Sequence, residues 1–67
     1  MYTVDQIKLL AAVCTIYPDQ RSRGVPGFIH FAGAQAIHCY PFDGGYVWTI
    51  NGERARESAI ATLLAGE

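Results

Sequence analysis

The dipeptide Asp43-Gly44 constrains the fold of this chain more than any other feature. It lies inside segment 27–50, where β-branched and aromatic residues alternate with other residues. Asp-Gly within such a segment is typical of a two-residue hairpin turn of type I′. Because neighbouring side chains of a strand point to opposite faces, this turn also fixes which side chains share a face. The resulting register pairs Phe42 with Gly45, Cys39 with Trp48, and Ile37 with Ile50.

A second interruption, at Ala32-Gly33-Ala34, predicts a further strand before the hairpin. Treated as a three-residue loop, it pairs Phe31 with Gln35 and Ile29 with Ile37. This register adds Ile29 and Phe31 to the face that carries Ile37, Cys39, Trp48 and Ile50. The sequence therefore predicts a three-stranded antiparallel meander with one apolar core face.

The segments on either side of the sheet predict helices. Thr3 and Gln6 form a capping-box pattern before an apolar stripe, and Pro18 limits the first helix. Asn51 or Gly52 is interpreted as the cap of the last helix, and Gly66 as its stop. The positions of the first stripe are Val4, Ile7, Leu10, Ala11, Cys14 and Tyr17, and those of the second are Ala59, Ile60, Leu63 and Leu64.

These elements predict one α+β domain over residues 1–67, in the order αβββα, with the meander packed against N- and C-terminal helices. A core this small rarely contributes more than about 3–5 kcal/mol without a disulfide, a metal or self-association. The two cysteines, Cys14 and Cys39, are expected to be free buried thiols, because small disulfide scaffolds carry four or more. We therefore expect additional stabilisation to come from a homodimer.

The charge balance limits the classes of partner. The chain contains five Lys and Arg residues and six Asp and Glu residues, which gives a formal net charge of −1. This balance provides no overall attraction for nucleic acid or anionic membranes. Asp5, Gln6 and Lys8 interrupt the apolar start, so we expect neither a signal peptide nor a spanning helix. The chain is predicted to be cytoplasmic.

The predicted register leaves a second sheet face that is also apolar and aromatic. We expect it to be covered by one of the chain's own helices, by a second copy or by a target, because a small monomer rarely exposes such a surface. Its predicted members are Phe28, His30, Ala36, His38, Tyr40, Val47 and Thr49.

No group of residues predicts catalysis or a cofactor. The carboxylates lie at predicted helix starts, turns and the C-terminus, and no pair converges as acid-base chemistry requires. His30 and His38 fall short of the three or four ligands of a zinc site, and neighbouring Cys39 points to the other face. We therefore expect a non-enzymatic protein without catalytic, metal or cofactor residues.

Two functions remain open at this point. We expect a small protein-binding module, a regulator or inhibitor that occludes a larger partner. Its size and organisation resemble those of small accessory proteins of bacteria, viruses and other mobile elements. The alternative is a single-stranded nucleic-acid binder that stacks bases on aromatic side chains between arginines. The predicted contact residues are Arg21, Arg23, Phe28, His30, His38, Tyr40, Arg54 and Arg56.

Overall fold

The computed structural model describes residues 2–66, which form two helices and six strands. The last four strands form one meander sheet in the order β3-β4-β5-β6, and the first two strands, β1 and β2, form a separate two-stranded sheet. The elements are α1 (Val4–Val13), β1 (Thr15–Ile16), β2 (Val25–Pro26), β3 (Phe28–Ala32), β4 (Gln35–Phe42), β5 (Gly45–Ile50), β6 (Glu53–Ala55) and α2 (Glu57–Ala65).

The start of α1 confirms the predicted capping box. The Gln6 backbone N–H donates to Thr3 Oγ1 at 3.2 Å, and the Thr3 N–H donates to Gln6 Oε1 at 2.9 Å. The helix ends at Val13, earlier than Pro18 alone would require. Cys14 and Tyr17, which were predicted to continue the helical stripe, therefore lie beyond the helix, beside the short strand β1.

The predicted central hairpin is confirmed. β4 and β5 pair in the predicted register around a two-residue turn at Asp43 and Gly44. Asp43 has a φ of 50°, the left-handed backbone that a type I′ turn requires. The α+β class and the packing of an antiparallel meander against both helices are likewise confirmed, with β6 as an additional edge strand.

The prediction of a helix cap at Asn51 or Gly52 is wrong. Asn51 has a φ of 52° and, with Gly52, forms a second two-residue hairpin turn that joins β5 to β6. The Asn51 side chain also accepts a hydrogen bond from the Ala36 N–H at 2.9 Å, while the Asn51 N–H donates to the Ala36 carbonyl. Glu53 therefore lies in a strand, and α2 begins only at Glu57.

The predicted register between β3 and β4 is wrong by one residue. The turn has two residues, Gly33 and Ala34, so Ala32 pairs with Gln35 and His30 pairs with Ile37. Gly33 has a φ of 61°, which suits glycine at the first position of a type II′ turn. This shift exchanges the faces of all five residues of β3.

Both helices pack against the same face of the sheet, which we call the helix face. The buried core on this face contains residues of both helices and of strands β3, β4 and β5. An ion pair between Lys8 of α1 and Glu57 of α2 also connects the two helices. The buried members of this core are Ile7, Ala11, Ala32, Ile37, Cys39, Trp48, Ile60 and Leu64.

Candidate functional site: the open face of the sheet

Neither of the two helices in residues 2–66 packs on the opposite face of the sheet, which we call the open face. Directly paired residues of neighbouring strands share a face, so the register defines its members. They are Ile29 and Phe31 of β3, Ala36, His38, Tyr40 and Phe42 of β4, Val47 and Thr49 of β5, and Arg54 of β6.

Exposure on the open face increases from the centre to the margins. Val47 is buried although neither of the two helices in residues 2–66 covers it, and its cross-strand partner on this face is Tyr40. At the margins, Phe31 is 69% exposed, Phe42 is 64% exposed and Ile29 is 39% exposed. The open face is therefore a sealed centre with large apolar side chains projecting around it.

His38 lies at the end of the open face that β1 and β2 approach. A side chain added at Gly27 would come within 3.0 Å of both His38 Nε2 and the tip of Ile16, so these three residues are closely packed. Within residues 2–66, the buried Nε2 atom has no hydrogen-bond partner. Burial lowers the pKa of His38 below its ordinary value of 6.5, which keeps the imidazole neutral near pH 7.

The rings of His38 and Tyr40 form the aromatic part of the open face. Their centroids are 5.1 Å apart and their planes are tilted by 43°. Both side chains are half-buried. Arg54, paired with Thr49, is an exposed cation on the same face.

The remaining predicted contact residues lie elsewhere. Phe28 and His30 were predicted on the same face as His38, and this is wrong because of the register shift. They lie on the helix face, where Tyr2 packs against the ring of Phe28 at 5.6 Å and that of His30 at 4.9 Å. The structure therefore does not unite the predicted aromatic and histidine cluster on one surface.

The arginines are also divided among different places. Arg21 and Arg23 are exposed in the loop between β1 and β2, where the Asp19 carboxylate accepts hydrogen bonds from the N–H groups of Arg21 and Ser22. Arg56 precedes α2 as its N-cap and makes no side-chain capping bond. Of the four predicted contact arginines, only Arg54 lies on the same sheet face as His38 and Tyr40.

Sequence reasoning missed the three most exposed apolar members of the open face. The predicted register places Ile29 and Phe31 on the core face, and it pairs Phe42 with Gly45 without including Phe42 among the contact residues. The signal in the sequence was Gly33, because a two-residue type II′ turn favours glycine as the first of its two central residues. That turn would have placed Ile29 and Phe31 beside His38 instead of Ile37.

The open face carries no evident catalytic chemistry. Among residues 2–66, no three His, Cys, Asp or Glu side chains come together as a metal site would require. Burial raises the pKa of the Cys39 thiol to about 11, so this group stays protonated and points into the core. The depression between the Gly33 turn and α2 is lined by small and apolar residues without an ionisable group.

Comparisons with known proteins identify no relative of this chain. Models of protein families, curated proteins and solved structures give no match to this chain. Neither of the two helices in residues 2–66 is long and apolar enough to cross a membrane.

Proposed function

We propose that this chain is a small protein-binding module that acts without catalysis, as a cytoplasmic regulator or inhibitor that occludes a larger partner protein. The open face is its contact surface. The observation that carries the proposal is the exposure of Phe31 and Phe42 on a sheet face that no helix covers.

The chemistry of the open face supports a protein partner. Exposed aromatic and aliphatic side chains around a packed centre are the usual anchors of protein interfaces, where they bury large areas at low entropic cost. Arg54 supplies one charged contact at the margin of the open face, and arginine is a residue type that protein interfaces favour. The surface offers anchors at Ile29, Phe31 and Phe42.

The electrostatics of the open face also favour a protein over a polyanion. Arg54 is its one basic member, and the lowered pKa of His38 leaves that imidazole uncharged near neutrality. The whole chain has a formal net charge of −1. Affinity must therefore come mainly from buried apolar area rather than from charge attraction.

The proposal is tested by placing a photo-crosslinking phenylalanine analogue at Phe42 and irradiating the protein in an extract of its native cell. Leu9 is the matched control position, because it is 71% exposed but lies on α1, away from the open face. We expect one protein to be crosslinked from position 42 and not from position 9. Mass spectrometry then identifies it.

Paired charge substitutions test whether that contact is functional. We expect Phe42→Arg to abolish capture of the same protein and Leu9→Arg to preserve it, with the circular dichroism spectrum unchanged in both. Capture that survives Phe42→Arg but is lost with Leu9→Arg would contradict the assignment of the open face. Equal crosslinking from both positions would show non-specific contact and would also contradict it.

The alternative of single-stranded nucleic-acid binding rests on one observation, the shared face of Arg54 with the rings of Tyr40 and Phe42. A fluorescent oligonucleotide titration at two salt concentrations tests it. Phosphate contacts require that affinity fall as salt rises, and replacement of Arg54 by alanine should reduce the slope by about one. Absence of binding at low salt removes this alternative.

A further inference from the structure

We propose that two copies of this chain pair through the exposed edge of β3, antiparallel to each other about a two-fold axis beside Phe31. The two four-stranded sheets then become one continuous eight-stranded sheet. This inference goes beyond target binding, because it concerns a contact of the chain with itself along a strand edge rather than across the open face.

The outer edge of β3 presents free backbone groups. Ala32 and Gln35 flank a two-residue turn, so they form a hydrogen-bonded pair, and such pairs alternate along the strands. The N–H and C=O groups of Ile29 and Phe31 therefore point away from β4. No backbone hydrogen bond joins them to another part of the chain between residues 2 and 66.

The opposite end of this edge is closed, which determines where a second strand can lie. The Gly27 N–H, on the same outer side as that of Ile29, donates to the Cys14 carbonyl at 3.1 Å. β1 then continues this pairing along β2, as Thr15 opposite Pro26. A partner strand has room only towards the Gly33 turn, so we place the symmetry axis at Phe31.

Pairing about this axis satisfies both backbone and side chains. Phe31 faces Phe31 of the second copy as a hydrogen-bonded pair, with two N–H to C=O bonds exchanged between them. Both rings lie on the open faces, where each is 69% exposed in the single chain. The contact buries two aromatic side chains and joins the two open faces side by side.

The two edges of the sheet differ in the way that this proposal requires. The edge strand β6 has three residues, Glu53, Arg54 and Ala55, and its charges discourage pairing with another chain. The edge strand β3 has five residues, FIHFA, without Asp, Glu, Lys, Arg or proline. Only the β3 edge lacks the usual protection.

A second copy fits this edge because an isologous contact places identical residues opposite each other. A like charge at the symmetry axis would repel its own copy, whereas the axis residue of β3 is Phe31 and the strand contains no Asp, Glu, Lys or Arg. Self-pairing also supplies the stabilisation that a 67-residue core lacks. The edge is short, so we expect reversible association in the micromolar range rather than an obligate dimer.

Charge exchange at the axis provides the test. Phe31→Lys and Phe31→Glu should each be monomeric by sedimentation velocity, with association weakened about tenfold or more, because like charges face each other. An equal mixture of the two variants should form a heterodimer. Leu9→Lys and Leu9→Glu, at a similarly exposed position on α1, should dimerise like the unmodified chain.

Amide hydrogen exchange identifies the contact as an edge pairing. We expect exchange at Phe31 to slow as protein concentration rises, and exchange at His30, which already bonds to β4, to change little. A monomer at high micromolar concentration overturns the proposal. So does a mixture of Phe31→Lys and Phe31→Glu that stays monomeric, or a dimer whose Phe31 amide is unprotected.

Discussion

The helix face and the open face come from the same strands but differ in what covers them. In β4, Ile37 is 0% exposed and belongs to the core that both helices share. Phe42, on the other side of the same strand, is 64% exposed. The open face is sealed at Val47, in the centre of the sheet, and at His38, where Gly27 and Ile16 pack closely against the imidazole. One side of this sheet therefore holds the buried core that stabilises the fold, and the other side offers exposed side chains for contact.

The largest expected effect tests this division directly. Ile37→Ala should lower the free energy of unfolding by about 2–5 kcal/mol, because it removes buried methyl groups and leaves a cavity. Phe42→Ala should change it by about 0.5 kcal/mol or less, because the ring is already in solvent. Urea denaturation at low protein concentration measures both. A loss of stability at Phe42 as large as that at Ile37 would contradict the assignment of Phe42 to an uncovered face.

The second prediction concerns the end of the open face beneath β1 and β2. Gly27→Ala should cost about 1–3 kcal/mol, because Gly27 has a φ of 154° and its added Cβ would come within 3.2 Å of the Cys39 carbonyl oxygen. Gly33→Ala is the control, since it shares a positive φ but has open space around it. Thermal unfolding should give a larger loss at position 27.

The smallest expected effect is a pH dependence from His38. Its folded pKa is lowered by burial, so the unfolded state binds a proton first as pH falls. This contribution is complete above about pH 6.5 and is lost as pH falls from there towards the folded pKa. Because His38 is half-buried and screened by solvent, the slope should remain well below the one-proton limit of about 1.4 kcal/mol per pH unit.

A variant separates His38 from the other titrating groups. Thermal melts of the unmodified chain and of His38→Phe, compared from about pH 7.5 to about pH 5.5, should show a shallower decline in the variant. An identical decline in both proteins would mean that the buried Nε2 atom is not coupled to folding.

The parts of the fold that could be predicted are those with strong local chemistry. The capping box of Thr3 and Gln6 and the turn at Asp43-Gly44 each depend on a few adjacent residues, and both are confirmed. The Asn51-Gly52 turn carried an equally strong hairpin signal. It was misread because Glu53 after it also suits the start of a helix.

The candidate site was harder to predict because it depends on one register. A loop of three residues at Ala32-Gly33-Ala34 gave the more coherent core face, but the positive φ of Gly33 selects a two-residue turn. That single difference exchanged Phe28 and His30 for Ile29 and Phe31 on the open face. Exposure at the margins depends in turn on where the helices pack, which short-range sequence patterns do not specify.

The succession of two-residue turns has a consequence for how the sheet assembles. Within this four-stranded sheet each strand from β3 to β6 pairs with the strands that precede and follow it along the chain, and each connecting turn has two residues. Short closures cost little chain entropy before their contacts form. Folding should therefore be rapid for a sheet protein and proceed by zipping of adjacent hairpins, with little time for unpaired strands to aggregate.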